Sequence, residues 1–547
     1  MIGELFSKAT QGRYRILHLT WFAFFLSFVV WFNFPPFATT IGQEFGLTPA
    51  QLGTIGLCNV ALTVPARIII GMLLDRFGPR LTYSILLVYS SIPCLIFATA
   101  TSFNQLVIGR LLMGIVGAGF VIGIRMTAEW FPPKEVGTAE GIYGGWGNFG
   151  SAFSAFTMVI IASALTFLPG AFQFPEPQPF TVLGNTFTSD VLNWRAAIAG
   201  SGIIAAIYGV IYYNSVTDTP PGKVYRRPKS ARGIEVTTVR DFWFLMAMNI
   251  PLTAILMVLA WRLTKVNFLS TGAMYITWVA LLGLYAFQAY NCWSVNKDLL
   301  AGRKQYPAED RYRFKQVAIL ELTYIVNFGS ELAVVTMLPA FFEGTFTLDK
   351  ATAGIIASSY AFMNLVSRPG GGIISDSVGS RKWTMAILTG GMGLGYLIFS
   401  QVTGAWSLTA AVLLVMACSF FVQASEGATF ALVPLVKKRI TGQVAGNVGA
   451  YGNVGAVAYL TALLLFKESL IPGADSGATP AEIAAGTAAA NAAFFQLLGI
   501  AGLVVAFLCA FFLDEPKGSF ADVHADDELP LVAPPPSAPT ASPRVTS

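Results

Sequence analysis

Apolar runs of twenty or more residues, separated by short stretches rich in charge, proline and glycine, recur from one end of the 547-residue chain to the other. About twenty apolar residues in helical form span the hydrocarbon core of a bilayer. The pattern therefore predicts spans near 16–42, 50–74, 81–101, 103–129, 137–166, 194–214, 241–263, 271–293, 316–343, 350–374, 383–402, 406–435, 441–466 and 489–513. These fourteen helices define an all-α, multi-pass membrane protein. The pair at 241–263 and 271–293 is the least regular, because Trp, Asn and Thr interrupt its apolar residues.

Composition sharpens this picture. Hydrophobic residues make up 54% and charged residues 12% of the chain, against about 25% charged in soluble chains, which excludes an ordinary cytosolic protein. The formal charge of +5 is too slight to imply a nucleic-acid partner. The five cysteines lie inside apolar runs without paired spacing, and the histidines are only His18 and His524. No metal or disulfide framework follows from them. No Gly-rich phosphate loop follows a strand either, so no cofactor and no enzymatic chemistry are implied. Lys8, Arg13 and Arg15 precede a first run that ends in NFPPFATT without a small-residue cleavage site, so that run is read as a retained helix.

Charge sets the orientation. With the N-terminus inside, 25 lysines and arginines fall on the inner side and five on the outer, namely Arg195, Arg262, Lys265, Lys350 and Lys467. By the positive-inside rule both termini are cytoplasmic. The resulting organisation is an inner N-terminus 1–15, a six-helix bundle 16–214, a linker 215–315 containing the inserted pair 241–293, a second six-helix bundle 316–513, and a cytoplasmic tail 514–547. The Pro/Ser/Ala-rich end of that tail has a disordered composition.

Two bundles are expected because the sequence repeats. Arg67, Gly71, Asp75, Gly78 and Arg80 recur with identical spacing as Arg368, Gly372, Asp376, Gly379 and Arg381, 301 residues later. A second pair follows in each half, Gly147-Asn148-Phe149-Gly150 and Gly452-Asn453-Val454-Gly455. The halves are parallel duplicates of about six spans each, an arrangement that places substrate near mid-membrane between them.

The loop containing Gly71, Asp75, Arg76, Gly78 and Arg80 resembles the signature loop of the major facilitator superfamily. The elements GGWGNFGSAFSAF (144–156) and GNVGAYGNVGAVA (446–458) resemble the paired nitrate signatures of its nitrate/nitrite porter family, with the closest likeness to the cyanobacterial permease branch. The resemblance covers twelve of the fourteen predicted spans. It implies a carrier of nitrate and nitrite for nitrate assimilation, acting as a monomer in the cell membrane. It also implies that Arg67, Arg368, Asn148, Tyr324, Phe328 and Phe120 line the substrate site.

The residues themselves lead to the same place. An arginine in mid-membrane costs at least about 2.5–3.5 kcal/mol on insertion scales and stays charged, so it needs an anion or a carboxylate beside it. Arg67 and Arg368 each lie eight residues, about 12 Å along a helix, from the Asp at the inner end of their own span. One guanidinium from each half could hold a small planar monoanion through coplanar paired donors. Asn148 and Asn453 could add amide donors, Tyr324 its hydroxyl, and Phe120 or Phe328 a ring face. The same residues also admit plainer roles: a structural ion pair for the arginines, interhelical hydrogen bonding for the asparagines, packing for the phenylalanines. Asp75, Arg76, Arg80, Asp376 and Arg381 read as inner-gate residues.

Glu331 falls on the same helix face as Tyr324 and Phe328 and is a candidate proton carrier, with Glu426 and Glu321 as further candidates. Permanent pairing of Glu331 with Arg110, Arg125 or Arg67 is the structural alternative. The functional expectation is proton-coupled nitrate/nitrite uptake. Nitrate-for-nitrite exchange and transport of another small anion such as formate, oxalate or a phosphate ester remain open. A transporter-like sensor would need a folded signalling domain, for which a tail of about 34 residues is too short.

Overall fold

The computed structural model describes residues 2–182, 185–225, 227, 232–306, 311–348, 350–472 and 478–516. Helical segments stand at all fourteen expected places. In the first half these are α1 (Gly12–Phe45), α2 (Gln51–Phe77), α3 (Pro79–Ala98), α4 (Phe103–Trp130), α5 (Val136–Ala164) and α6 (Trp194–Ser215). The inserted pair is α7 (Val239–Lys265) and α8 (Thr271–Leu300). The second half contains α9 (Phe314–Phe346), α10 (Lys350–Phe362 with Asn364–Ser377), α11 (Arg381–Phe399), α12 (Leu408–Val436), α13 (Thr441–Leu470) and α14 (Pro480–Phe512).

Fourteen spans are nevertheless more than these helices provide. Among the described residues eleven are long and apolar enough to cross a membrane, or twelve when α5, bent by 48° near residue 156, is taken as one span. The two that fall short are α10 and α11. Arg368, Pro369, three successive glycines and Asp376 dilute the apolar character of α10, and Arg381 and Lys382 open α11. The inserted pair, whose Trp, Asn and Thr content looked least regular, does qualify.

A second difference lies between α5 and α6. There the chain forms an antiparallel hairpin of β1 (Phe172–Val182) and β2 (Asn185–Leu192), so the protein is not wholly helical. Its register is interrupted between Gln173 and Gln178, where Pro175 and Pro177 cannot donate to the ladder. Phe172, Phe174 and Phe180 share one face of a strand, but the prolines between them mask the pattern in the sequence. The tail beyond Pro516, including Lys517 and Arg544, and the linker residues Arg226 and Lys229 lie outside the described residues.

The repeat is visible in the packing. A Cβ on Gly150 would meet the Phe25 carbonyl oxygen at 2.3 Å, and one on Gly455 would meet that of Ile325 at 2.5 Å, so α5 crosses α1 as α13 crosses α9. Small residues let membrane helices approach this closely. The two halves then interlock, because α2 packs along α13 and α10 packs along α5. The inserted pair is fastened at one side of this assembly. Met248 in α7 accepts the Tyr451 hydroxyl of α13 through its carbonyl, while Val279, Leu282, Phe287 and Tyr290 of α8 stay exposed.

Candidate functional site

Both repeated arginines are buried at the seam between the halves, and each is held by a carbonyl of the opposite half. Arg67 donates from Nη1 to the Gly449 carbonyl of α13 and from Nε to Gly117 of α4 (3.3 Å). Arg368 donates from Nη1 to the Gly144 carbonyl of α5 (3.4 Å) and from Nη2 to the Tyr324 hydroxyl (3.2 Å). Both crossings are close: a Cβ on Gly449 would stand 3.2 Å from Arg67 Cδ, and one on Gly144 would stand 3.3 Å from Arg368 Cδ, so a larger residue at either position would press on the arginine.

The arginines differ in their counter-charge. Arg368 is ion-paired with Glu426 of α12. Among the described residues no carboxylate lies within ion-pairing distance of Arg67, and its Nη2 has no hydrogen-bond partner. A permanently charged group left this way is costly in a low-dielectric interior.

Aromatic rings bind the two guanidinium groups into one site. Arg67 Cζ lies 5.6 Å from the Phe120 ring centre and 5.1 Å from that of Phe328. Arg368 Cζ lies 5.5 and 5.7 Å from the same two rings. These separations fall within cation–π range. Phe120, Tyr324 and Phe328 form a parallel stack, with 6.1 and 5.0 Å between successive centres and 5° between planes in each case. Phe430 meets Phe120 and Tyr324 edge-on. Asn148 and Asn453 are buried in α5 and α13 with both amide atoms unpartnered, so neither makes the interhelical hydrogen bond considered above.

Among the carboxylates, Glu331 accepts from Asn364 Nδ2 (2.5 Å) and Gln423 Nε2 (3.4 Å) on Oε1, while its Oε2 is unpartnered. The structural alternative for Glu331 does not hold. Arg110 donates to Asn33 (3.3 Å) and the Trp31 carbonyl (2.8 Å), and Arg125 pairs with Glu129 (2.9 Å) and Asp75 (3.8 Å). Glu321 is buried on α9 with both oxygens unpartnered.

The loop motifs lie at one end of the bundles and seal it. Asp75 accepts the backbone N–H groups of Gly442 (3.0 Å) and Gln443 (2.9 Å) at the N-terminus of α13. Asp376 accepts those of Gly137 (3.2 Å) and Thr138 (2.6 Å) at the N-terminus of α5. A carboxylate suits the unsatisfied donors and positive dipole of a helix start. Arg381 pairs with Asp376 (2.6 Å) and reaches the Pro133 carbonyl (2.8 Å), whereas Arg80 turns to the Tyr213 carbonyl (2.7 Å) and Arg76 is exposed. The repeat thus holds for the aspartates and not for the last arginine. Gly78 (φ 92°) and Gly379 (φ 82°) both take a positive φ that favours glycine. Asp218, just beyond α6, accepts from the Arg80 N–H (2.7 Å), and burial pushes its carboxyl up from the ordinary value. Glu515, just beyond α14, accepts from Arg381 N in the same way (2.8 Å).

Asn364, Gln423 and Phe430, which the sequence did not single out, also belong to this site, as do Gly144 and Gly449 of the two Gly/Asn elements. Gly144 and Gly449 carried a usable signal, for they keep the 305-residue offset that relates Asn148 to Asn453.

Residues 20–295 match the family model described as Major Facilitator Superfamily. The chain is 74% identical over 537 residues to the nitrate/nitrite transporter NrtP of Picosynechococcus sp., covering 98% of this chain and 99% of that one. It is 54% identical over 526 residues to the nitrate/nitrite transporter NrtP of Nostoc punctiforme, covering 96% of each. Among solved structures the human organic anion transporter MFSD10 superposes with a TM-score of 0.57 at 14% identity, over 91% of this chain and 100% of that one. That last likeness concerns the fold alone.

Proposed function

Because the chain belongs to the major facilitator superfamily, and within it to the family of the cyanobacterial nitrate/nitrite transporters, we propose that it carries nitrate and nitrite across the cell membrane by alternating access, with the anion clamped between Arg67 and Arg368. The observation that carries the clamp is the convergence of both guanidinium groups, one from each half, on the ring faces of Phe120 and Phe328. Among the described residues no carboxylate lies within ion-pairing distance of Arg67, so a monoanion entering the site would supply a counter-charge. A planar trigonal or bent oxyanion matches the coplanar donors of a guanidinium.

The free amides of Asn148 and Asn453 would complete the donor set from α5 and α13, the two helices that cross between halves. In the conformation described, the end bearing Asp75 and Asp376 is closed. The Lys/Arg asymmetry makes that end cytoplasmic, so the site would load from outside. Release inward would require both aspartates to leave the helix starts of the opposite half. Glu331 is our choice of proton carrier for symport, since it is buried beside the site and one of its oxygens is free.

Uptake of labelled nitrate and nitrite into proteoliposomes, with and without an imposed proton gradient, tests this reading. Gradient-driven accumulation that excess nitrite competes away and excess formate or oxalate does not is the expected outcome. Transport that ignores the gradient and needs nitrite inside would replace symport by exchange. Accumulation of formate or oxalate with no nitrate uptake would replace the substrate.

A further inference from the structure

Arg76 and Arg80 belong to the repeated loop but take no part in the latch. In the second half Arg381 pairs with Asp376, and the place of Arg76 is held by Ser377. In the first half Arg76 is exposed and Arg80 half-buried, and neither guanidinium has an ion-pair partner among the described residues. Asp218 accepts the backbone N–H of Arg80 (2.7 Å) rather than its guanidinium. Each cation lies instead over a ring. Arg76 Cζ is 5.2 Å from the centre of Phe77, and Arg80 Cζ is 4.1 Å from that of Tyr213, whose carbonyl accepts from Arg80 Nε (2.7 Å).

Those two rings stand at the ends of two apolar grooves that flank α3. One, of about 510 Å³, runs between α2 and α3 past Pro65, Ile69, Leu73, Phe77, Leu81 and Ile85. From Pro65 to Phe77 is about 18 Å along a helix, close to the depth of one leaflet in a hydrocarbon core about 30 Å thick. The other, of about 410 Å³, lies between α3 and α6 beside Val88, Val210 and Tyr213. Ile85 and Tyr89 line both, so α3 is the ridge between them. Ile69, Phe77, Ile85 and Val210 are 46–59% exposed, and an open apolar cleft of this kind marks an interaction site.

We propose that an anionic diacyl phospholipid sits astride α3, with one acyl chain in each groove and its phosphate on Arg76 and Arg80. This goes beyond the transport reading and does not depend on it. Two grooves that share one ridge match two chains joined at one head group, and the longer groove has the depth of a leaflet. Two unpaired guanidinium groups at the same end match the phosphate, to which arginine offers paired donors. A zwitterionic lipid would fill the grooves equally well and leave the positive charge of the loop unbalanced, so the arginines select by charge. In the second half Arg381 is spent on Asp376 and the Pro133 carbonyl, so the repeat supplies no matching pair of free cations there.

The test is native mass spectrometry of the full-length protein released from nanodiscs made of equal parts phosphatidylglycerol and phosphatidylcholine. A parallel sample carries a photoactivatable group on the acyl chains of the phosphatidylglycerol. Each arginine near an anionic head group is worth about fivefold in affinity. Wild type should therefore retain phosphatidylglycerol over phosphatidylcholine by at least about fivefold, R76Q and R80Q should each cut that preference by about fivefold, and the double variant should abolish it. The label should fall on peptides covering 65–89 and 209–213, and inorganic phosphate should not displace the lipid. Equal retention of the two lipids by wild type overturns the inference, and that arm needs no variant to fold. A preference undiminished in the double variant overturns the role of the arginines, and label confined to other helices overturns the grooves. Displacement by inorganic phosphate would make this a site for a free anion, and a dimer that excludes the label would give the grooves to a second copy of the chain; either result overturns the lipid. None of these outcomes bears on nitrate uptake, so the transport reading stands or falls separately.

Discussion

Gly71 of the first half lies against Gly442 of the second so closely that a Cβ on Gly71 would stand 2.4 Å from the Gly442 carbonyl oxygen. The repeat reproduces the relation, with Gly372 and the Gly137 carbonyl oxygen at 2.0 Å. Neither contact has a flexible side chain that could yield. The backbones of opposite halves therefore touch on both sides of the pseudo-symmetry axis, just above the two aspartates that seal this end.

Gly71→Ala and Gly372→Ala should each push the halves apart at the sealed end. Overpacking of this kind costs about 1–3 kcal/mol, enough to shift a two-state equilibrium by roughly five- to 150-fold. Spin labels at the exposed positions Arg76 and Val378 should report a longer mean distance in either variant. An unchanged distance distribution in both would show that the close approach does not govern closure.

The aspartates make a separate prediction. Asp75→Asn weakens the interaction with the start of α13, and Asp376→Asn the interaction with the start of α5, by up to about 2 kcal/mol each in a partly buried setting. In hydrogen-exchange mass spectrometry, peptides over 441–446 should lose protection in Asp75→Asn, and peptides over 136–141 in Asp376→Asn. Loss confined to the wrong helix, or none, would contradict the cross-half latch.

How much of this was legible in the sequence depends on range. Arg67 and Arg368 could be singled out because identical spacing in two places 301 residues apart marks a duplication, and an arginine in an apolar run is conspicuous. The ion pair between Arg368 and Glu426 could not be read, because its members are 58 residues apart on different helices and no periodicity relates them. Nor could the crossing of α2 with α13 and of α10 with α5, which depends on how two bundles dock. The hairpin at 172–192 was hidden by its prolines. The shortfall at α10 and α11 was legible in their charges and glycines, but the pattern of apolar runs outweighed it.

The inserted pair should stay out of the transport chemistry. Trp261 packs beside Arg262 and Lys265 near the far end of α7, and Asn291 lies on the largely exposed α8. Trp261→Ala and Asn291→Ala should leave the KM for nitrate within about twofold of wild type, as surface changes usually do. A KM shifted fivefold or more by either would draw the pair into the site.

The central claim is that one guanidinium from each half holds the anion, and the most direct measurement is labelled-nitrate counterflow in proteoliposomes containing Arg67→Lys or Arg368→Lys. Lysine keeps the charge and loses the planar fork, so charge alone is held constant while the paired donors are removed. The loss of a charge-assisted pair of hydrogen bonds is worth about 1.5–3 kcal/mol each, which predicts a fall in exchange of at least tenfold in both variants, with normal insertion. Near-normal counterflow in both would contradict the two-arginine clamp.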